Sequence, residues 1–122
     1  MEGYKKYMED EIMTNHPVEN TILMYENCIK RLRVVKKYYQ DFKFSQADEE
    51  LERVEQILAE LKMQVNESVD LELAKNLYGL YDYILAELFK IHKLRIIEPI
   101  ANIEGILKDL IEGFRGAMKN AE

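Results

Sequence analysis

An all-α fold, an antiparallel up-down four-helix bundle preceded by a short N-terminal arm or helix, is what this 122-residue sequence predicts. Three observations carry that prediction. Apolar residues recur at intervals of three and four along the chain, the spacing that gathers them on one face of a helix, and no stretch shows the period-two alternation of a strand. Glycine and proline, five and two in number, are too sparse to punctuate a chain of many short strands. Helix-capping signals fall between the periodic segments, and the connections are short enough to make successive helices antiparallel neighbours.

The arm is read as residues 1–13 and the bundle as 14–122. The first helix starts at Thr14-Asn15-His16-Pro17. A side chain of that polar cluster is placed to cap it, and proline fits a first turn, where its missing N–H would have had no partner. Its inward stripe is Val18, Ile22, Tyr25, Ile29 and Leu32, continuing to Tyr39. The chain turns around Phe42-Lys43-Phe44, and Ser45 reads as the cap of the second helix, with Asp48, Glu49 and Glu50 in its first turns complementing the helix dipole. That helix buries Leu51, Val54, Leu58, Leu61 and Val65. A break at 66–70 offers Ser68 or Asp70 as cap of the third helix, whose stripe is Ala74, Leu77, Tyr81, Ile84, Leu88 and Ile91. Pro99 cannot sit deep inside a helix, so the last break falls between Lys93 and Ile97. Ile100, Ile103, Leu107, Leu110, Phe114 and Ala117 then line the inner face of the fourth helix.

Composition narrows the function. A chain 48% hydrophobic and 33% charged has material for one core without metals or disulfides. Its net charge is −6, and the lysines and arginines are scattered among acids rather than gathered into a patch, so phosphate backbones are repelled and nucleic acid is not an expected partner. The longest apolar runs, such as Ile22-Leu23-Met24-Tyr25, fall far short of the roughly 20 residues of a spanning helix, and no membrane insertion is expected. The polar, acidic first ten residues do not read as a signal peptide, and the lone Cys28 suits a reducing compartment; the expected location is the cytoplasm.

No catalytic residue, metal site or cofactor is expected. There are two histidines, one cysteine and no glycine-rich phosphate loop. Glu11 precedes His16 by five residues and Glu87 precedes His92 by five, whereas a bundle di-metal site needs a spacing of three. Cys28 reads as a small apolar residue of the first helix. His92-Lys93-Leu94-Arg95 resembles the His-x-Leu-Lys core of histidine phosphotransfer domains, but those continue with small residues where Ile96, Ile97 and Pro99 crowd this chain. A helix-end histidine favoured by the C-terminal dipole is the simpler account.

Beside the core seam the helices carry a surplus: Leu23, Met24, Leu73, Tyr78, Leu80, Leu85, Ile97, Ile106, Ile111 and Met118. Such a wide arc serves a helix with two neighbours, and it also suits grooves that accept an amphipathic partner helix. Self-association, into a homodimer or as a generic helical bundle, is left open by the same feature.

Longer patterns point one way. The stretch Tyr7-x4-Ile12-x-Thr14-x2-Pro17-x-Glu19-x5-Tyr25 resembles the N-terminal signature of the flagellin-specific export chaperones of bacterial flagella, with Tyr4 matching a further tyrosine upstream. Asn76-Leu77-x2-Leu80-Tyr81-Asp82-Tyr83, with Leu88 beyond it, is similar to that family's Asn-Leu-x2-Leu-Tyr-Asp-Tyr and trailing leucine. Ile103-Glu104-Gly105 and Leu110 precede Phe114, where the family usually has tryptophan. The chain departs from the pattern at Asn15-His16, at Asn20, at Glu26-Asn27-Cys28 and at Pro99. The resemblance implies a cytoplasmic chaperone, not an enzyme, that binds the C-terminal helix-forming segment of flagellin, prevents premature polymerisation and keeps the cargo export-competent. The partner-binding candidates are then Tyr4, Tyr7 and Ile12 of the arm, with Met24, Tyr25, Tyr78, Leu80 and Tyr81 of the bundle. An arm bearing those three residues is also expected to cover a groove until cargo displaces it.

Overall fold

A computed structural model of the chain describes residues 17–121, with side chains described for 18–119. They form four helices: α1 (Pro17–Gln40), α2 (Phe44–Met63), α3 (Leu71–Leu94) and α4 (Glu98–Ala121). No strand occurs among the described residues. The predicted all-α architecture is the one found. The arm, its boundary at residue 13 and the Thr14-Asn15-His16 cap lie outside the described residues.

The helices form a ring in which α1 packs on α2 and α4, and α3 packs on the same two. Cross-links give the directions. Arg33 on α1 meets Glu104 on α4 at 3.5 Å while the earlier Glu26 meets the later Arg115 at 3.1 Å, so α1 and α4 run antiparallel. Across the diagonal, Tyr25 meets Tyr81 and Tyr39 meets the carbonyl of Ile91, so α1 and α3 run parallel. Both are buried polar contacts that satisfy hydroxyls the packing would otherwise leave dry. The Tyr25 and Tyr81 oxygens are 2.6 Å apart, and the Tyr25 ring meets Phe114 edge-on with centroids 5.8 Å apart. Tyr39 donates to Ile91 over 3.1 Å; burial, and then the nearby Asp48 carboxylate, raise its pKa and keep that donor proton in place.

Every residue of the predicted α3 stripe is buried. Asp70, in extended backbone, accepts a hydrogen bond from the Leu73 amide at 3.0 Å and so caps the helix, while Ser68 is occupied with Asn66 in the preceding turn. At the other end Arg95 takes a left-handed conformation, φ 52°, and its guanidinium lies 4.5 Å above the Phe44 ring. Pro99 falls in the first turn of α4, as its geometry demands.

Three expectations need correction. Ser45 does not cap α2: the helix begins one residue earlier, at Phe44, behind Lys43, which makes no side-chain cap. The reason is aromatic packing. Phe42 turns the chain at φ 58°, Lys43 N–H donates to the Tyr38 carbonyl at 2.8 Å, and the Phe44 ring stands edge-on to Tyr39 at 5.3 Å. The carboxylates at 48–50 accordingly fall in the second turn, none in the first. Val65 lies beyond the end of α2 and packs half-buried against the core from the connection. On α4 the buried position belongs to Ile111 rather than Leu110, which is half-buried. The rotation turns Ile111 toward the seam with α1, where it lines the same groove as Ile29.

Gly79 and Gly113 sit inside α3 and α4 with nothing within 4 Å of where a Cβ would stand. A helical glycine costs conformational entropy that alanine avoids, so Gly79→Ala and Gly113→Ala should each raise stability by roughly 0.5–1 kcal/mol. Thermal denaturation should move up by a few degrees; a drop at either site would reveal a contact that the open space does not show.

Candidate functional site

An open groove of about 860 Å³ runs along the outer seam of α1 and α4. Its α1 wall is Glu26, Ile29, Lys30, Arg33, Val34 and Lys37; its α4 wall is Lys108, Ile111, Glu112 and Arg115. Ile29 and Ile111 are buried and make the floor, while Val34 is a half-buried step on the wall. The positions 26, 30, 33 and 37 follow one another by three or four residues, which sets them along one side of α1. From Glu26 to Lys37 the wall extends about 16 Å, three helical turns.

The rim is cationic. Five lysines and arginines face two carboxylates there, in a chain whose net charge is −6. Linear scatter therefore hides a folded patch, which corrects the reading of the basic residues as dispersed. Arg115 is held by Glu26 at 3.1 Å and Arg33 by Glu104 at 3.5 Å. Lys30, Lys37 and Lys108 form no ion pair among the described residues.

The residues singled out in the sequence are dispersed around the bundle. Tyr4, Tyr7 and Ile12 lie outside the described residues. Tyr25 and Tyr81 are in the interior, with 0% and 2% of their surfaces exposed, and in this conformation they support the surface from beneath. Met24 is half-buried against the core, and Leu80 is half-buried on α3. Tyr78 is half-buried too, and its hydroxyl donates to the Glu67 carboxylate at 2.8 Å, a bond that raises the pKa of the phenol. Of the surplus arc, Leu73, Leu85, Ile97, Ile106 and Met118 pack against the core, so most of it serves contacts to two neighbouring helices. Leu23 is the exception at 60% exposed. The groove residues Lys30, Val34, Lys37 and Lys108 were not among the candidates, although Lys30, Arg33, Val34 and Lys37 fall at helical spacing and would have shown a basic face.

Reactive chemistry has little to work with. Cys28 is fully buried and desolvation pushes its thiol up to about 12, so the nucleophilic thiolate is absent near neutrality. His92 lies in the last turn of α3, half-exposed, its Nδ1 3.0 Å from Asp48. No helix among the described residues is long and apolar enough to cross a membrane.

A ring of four helices around a buried core, with an open, apolar-floored groove on one seam, is an all-α bundle with a surface that suits binding rather than chemistry. The chain belongs to the flagellar protein FliS family, whose sequence model matches residues 1–121. It is similar to the flagellar secretion chaperone FliS of Bacillus subtilis (strain 168), with 26% identity over 118 residues, covering 97% of this chain and 84% of that one. A crystal structure of a flagellar chaperone from bacteria superposes with a TM-score of 0.84 at 39% identity, over 98% of both chains. The family is one of chaperones and not of enzymes, and the phosphotransfer reading of His92 is not favoured.

Proposed function

We propose that this chaperone works in the cytoplasm, where it binds the C-terminal helix-forming segment of flagellin, keeps that segment from polymerising early and holds it export-competent. Family membership across the chain is the observation that carries this reading. The groove between α1 and α4 supports it physically, because it offers an amphipathic helix an apolar floor of Ile29 and Ile111 beside a wall about three turns long. Met24, Tyr78 and Leu80 are candidates for further contacts on other seams, and Tyr25 and Tyr81 hold α1 and α3 in place beneath them. Tyr4, Tyr7 and Ile12 belong to an arm that competes with cargo, lowering apparent affinity by the fraction of time the binding surface is covered. A homodimer of the chaperone is one further assembly this surface permits.

A segment that orders on binding should give a clearly negative heat-capacity change together with a large entropic cost. Calorimetry of the cognate segment against the full chain and against a chain lacking residues 1–13 tests both parts. Deletion should strengthen binding and leave the helical circular dichroism unchanged. Unchanged affinity would remove the competing arm from the account, and absence of heat at micromolar concentrations would remove the cargo.

A further inference from the structure

With this groove taken as the cargo seat, we propose that it selects a helix whose apolar edge is flanked by carboxylates, and that the lysine rim governs how fast that helix is captured. The apolar lining has no charge preference: Ile29 and Ile111 of the floor and Val34 of the wall accept any aliphatic edge. Discrimination must come from the rim. There Arg33 and Arg115 are already engaged by Glu104 and Glu26, whereas Lys30, Lys37 and Lys108 have no ion-pair partner among the described residues. Glu112 is the remaining carboxylate of the lining, so the unpaired charge is cationic in excess. An acidic chain that concentrates unpaired cations beside an apolar floor presents a potential opposite to that of the rest of its surface.

Spacing makes the preference specific. Lys30 and Lys37 are seven residues apart on α1, about 10.5 Å and two turns, and both lie on the α1 rim. A partner helix lying along the groove meets them with carboxylates that are themselves seven residues apart. A third carboxylate, on its opposite flank, reaches Lys108 on the α4 rim. Exposed ion pairs of this kind add little to the lifetime of a complex, because water and salt screen them once formed. They act on encounter, where the summed field draws an acidic helix to the groove and turns away a basic one.

The test follows association and dissociation by stopped flow for three ligands. One is the cognate flagellin C-terminal segment; the other two are synthetic amphipathic helices with the same apolar edge, flanked by glutamates at seven-residue spacing or by lysines. Each is run against the wild type, against the Lys30→Gln, Lys37→Gln, Lys108→Gln triple variant, and against the corresponding Lys→Glu triple variant, with helicity checked first. For the wild type, raising salt from ~20 mM to ~0.5 M should slow capture of the flagellin segment about ten-fold, with dissociation changed less than about two-fold. The glutamine variant should show the slow rate at low salt and lose the salt dependence. The glutamate-flanked helix should bind the wild type at least about ten-fold tighter than the lysine-flanked one, and the Lys→Glu variant should reverse that order. Should the flagellin segment associate equally fast with all three proteins at every salt concentration, the rim proposal fails and the cargo assignment stands. Should the glutamate-flanked helix obey the rim while flagellin does not bind, the rim proposal stands and the cargo assignment fails. Equal binding of both synthetic helices, or binding of neither, overturns the rim proposal.

Discussion

Truncating Leu77 to alanine should destabilise the bundle by about 2–5 kcal/mol, because it removes a buried leucine and leaves a cavity its neighbours only partly fill. Leu77 lies on α3 with 3% of its surface exposed, between the buried Ala74 and Tyr81. The same truncation at Leu110 should cost roughly half as much, since that side chain is half-buried and part of its surface is wet in the folded state. Urea unfolding of the two variants measures the contrast directly, with an unchanged slope showing that the midpoint shift reports stability. Equal losses at the two sites would put Leu110 back in the core seam. No loss at Leu77 would contradict the packing altogether.

Val34→Asp should weaken capture of the flagellin segment about 30- to 300-fold, the equivalent of roughly 2–3.4 kcal/mol. Val34 is the half-buried step of the groove wall, so a carboxylate there is solvated in the free chaperone but loses water when a helix seats over it. The unbound protein should lose less than ~1 kcal/mol of stability, which separates a binding defect from a folding one. Ala86→Asp, on an exposed position of α3 away from the groove, is the control that keeps the charge change and moves the place. Binding of the Val34 variant at wild-type strength, measured by calorimetry, would remove this groove from the cargo site.

The bundle was legible in the sequence wherever a local signal decided an element. α3 is the clearest case: a cap at Ser68 or Asp70, of which Asp70 is used, a stripe from Ala74 to Ile91 that is buried throughout, and a break between Lys93 and Ile97 that falls at Arg95. Where two local signals competed, the tertiary contacts chose between them. Ser45 is a good cap by type, yet α2 starts at Phe44 because its ring packs on Tyr39 and under Arg95, residues that only the folded chain brings near. Leu110 and Ile111 are adjacent aliphatics on a helix with two neighbours, and periodicity cannot say which one turns fully inward.

The groove was harder to see for a related reason. Ile29 is a core residue by its spacing and is buried, whereas Ile111, which the spacing puts in the arc beside the core, is buried too, and that the two line one groove depends on the antiparallel register that sets Glu26 against Arg115. Lys37 and Lys108 are far apart in sequence and belong to one rim only once α4 closes the ring on α1. The tyrosines named by the family pattern, Tyr25 and Tyr81, attract notice through their chemical type. Their place is internal, where each hydroxyl meets the other across the diagonal.

The most direct test of the cargo assignment is a titration of the wild-type chaperone with cognate full-length flagellin and with the same flagellin lacking its C-terminal segment, both kept monomeric. Full-length flagellin should form a complex at micromolar concentration or below, and the truncated form should show none. Equal binding of the two, or failure of full-length flagellin and of the isolated segment to bind the folded chaperone, would contradict it.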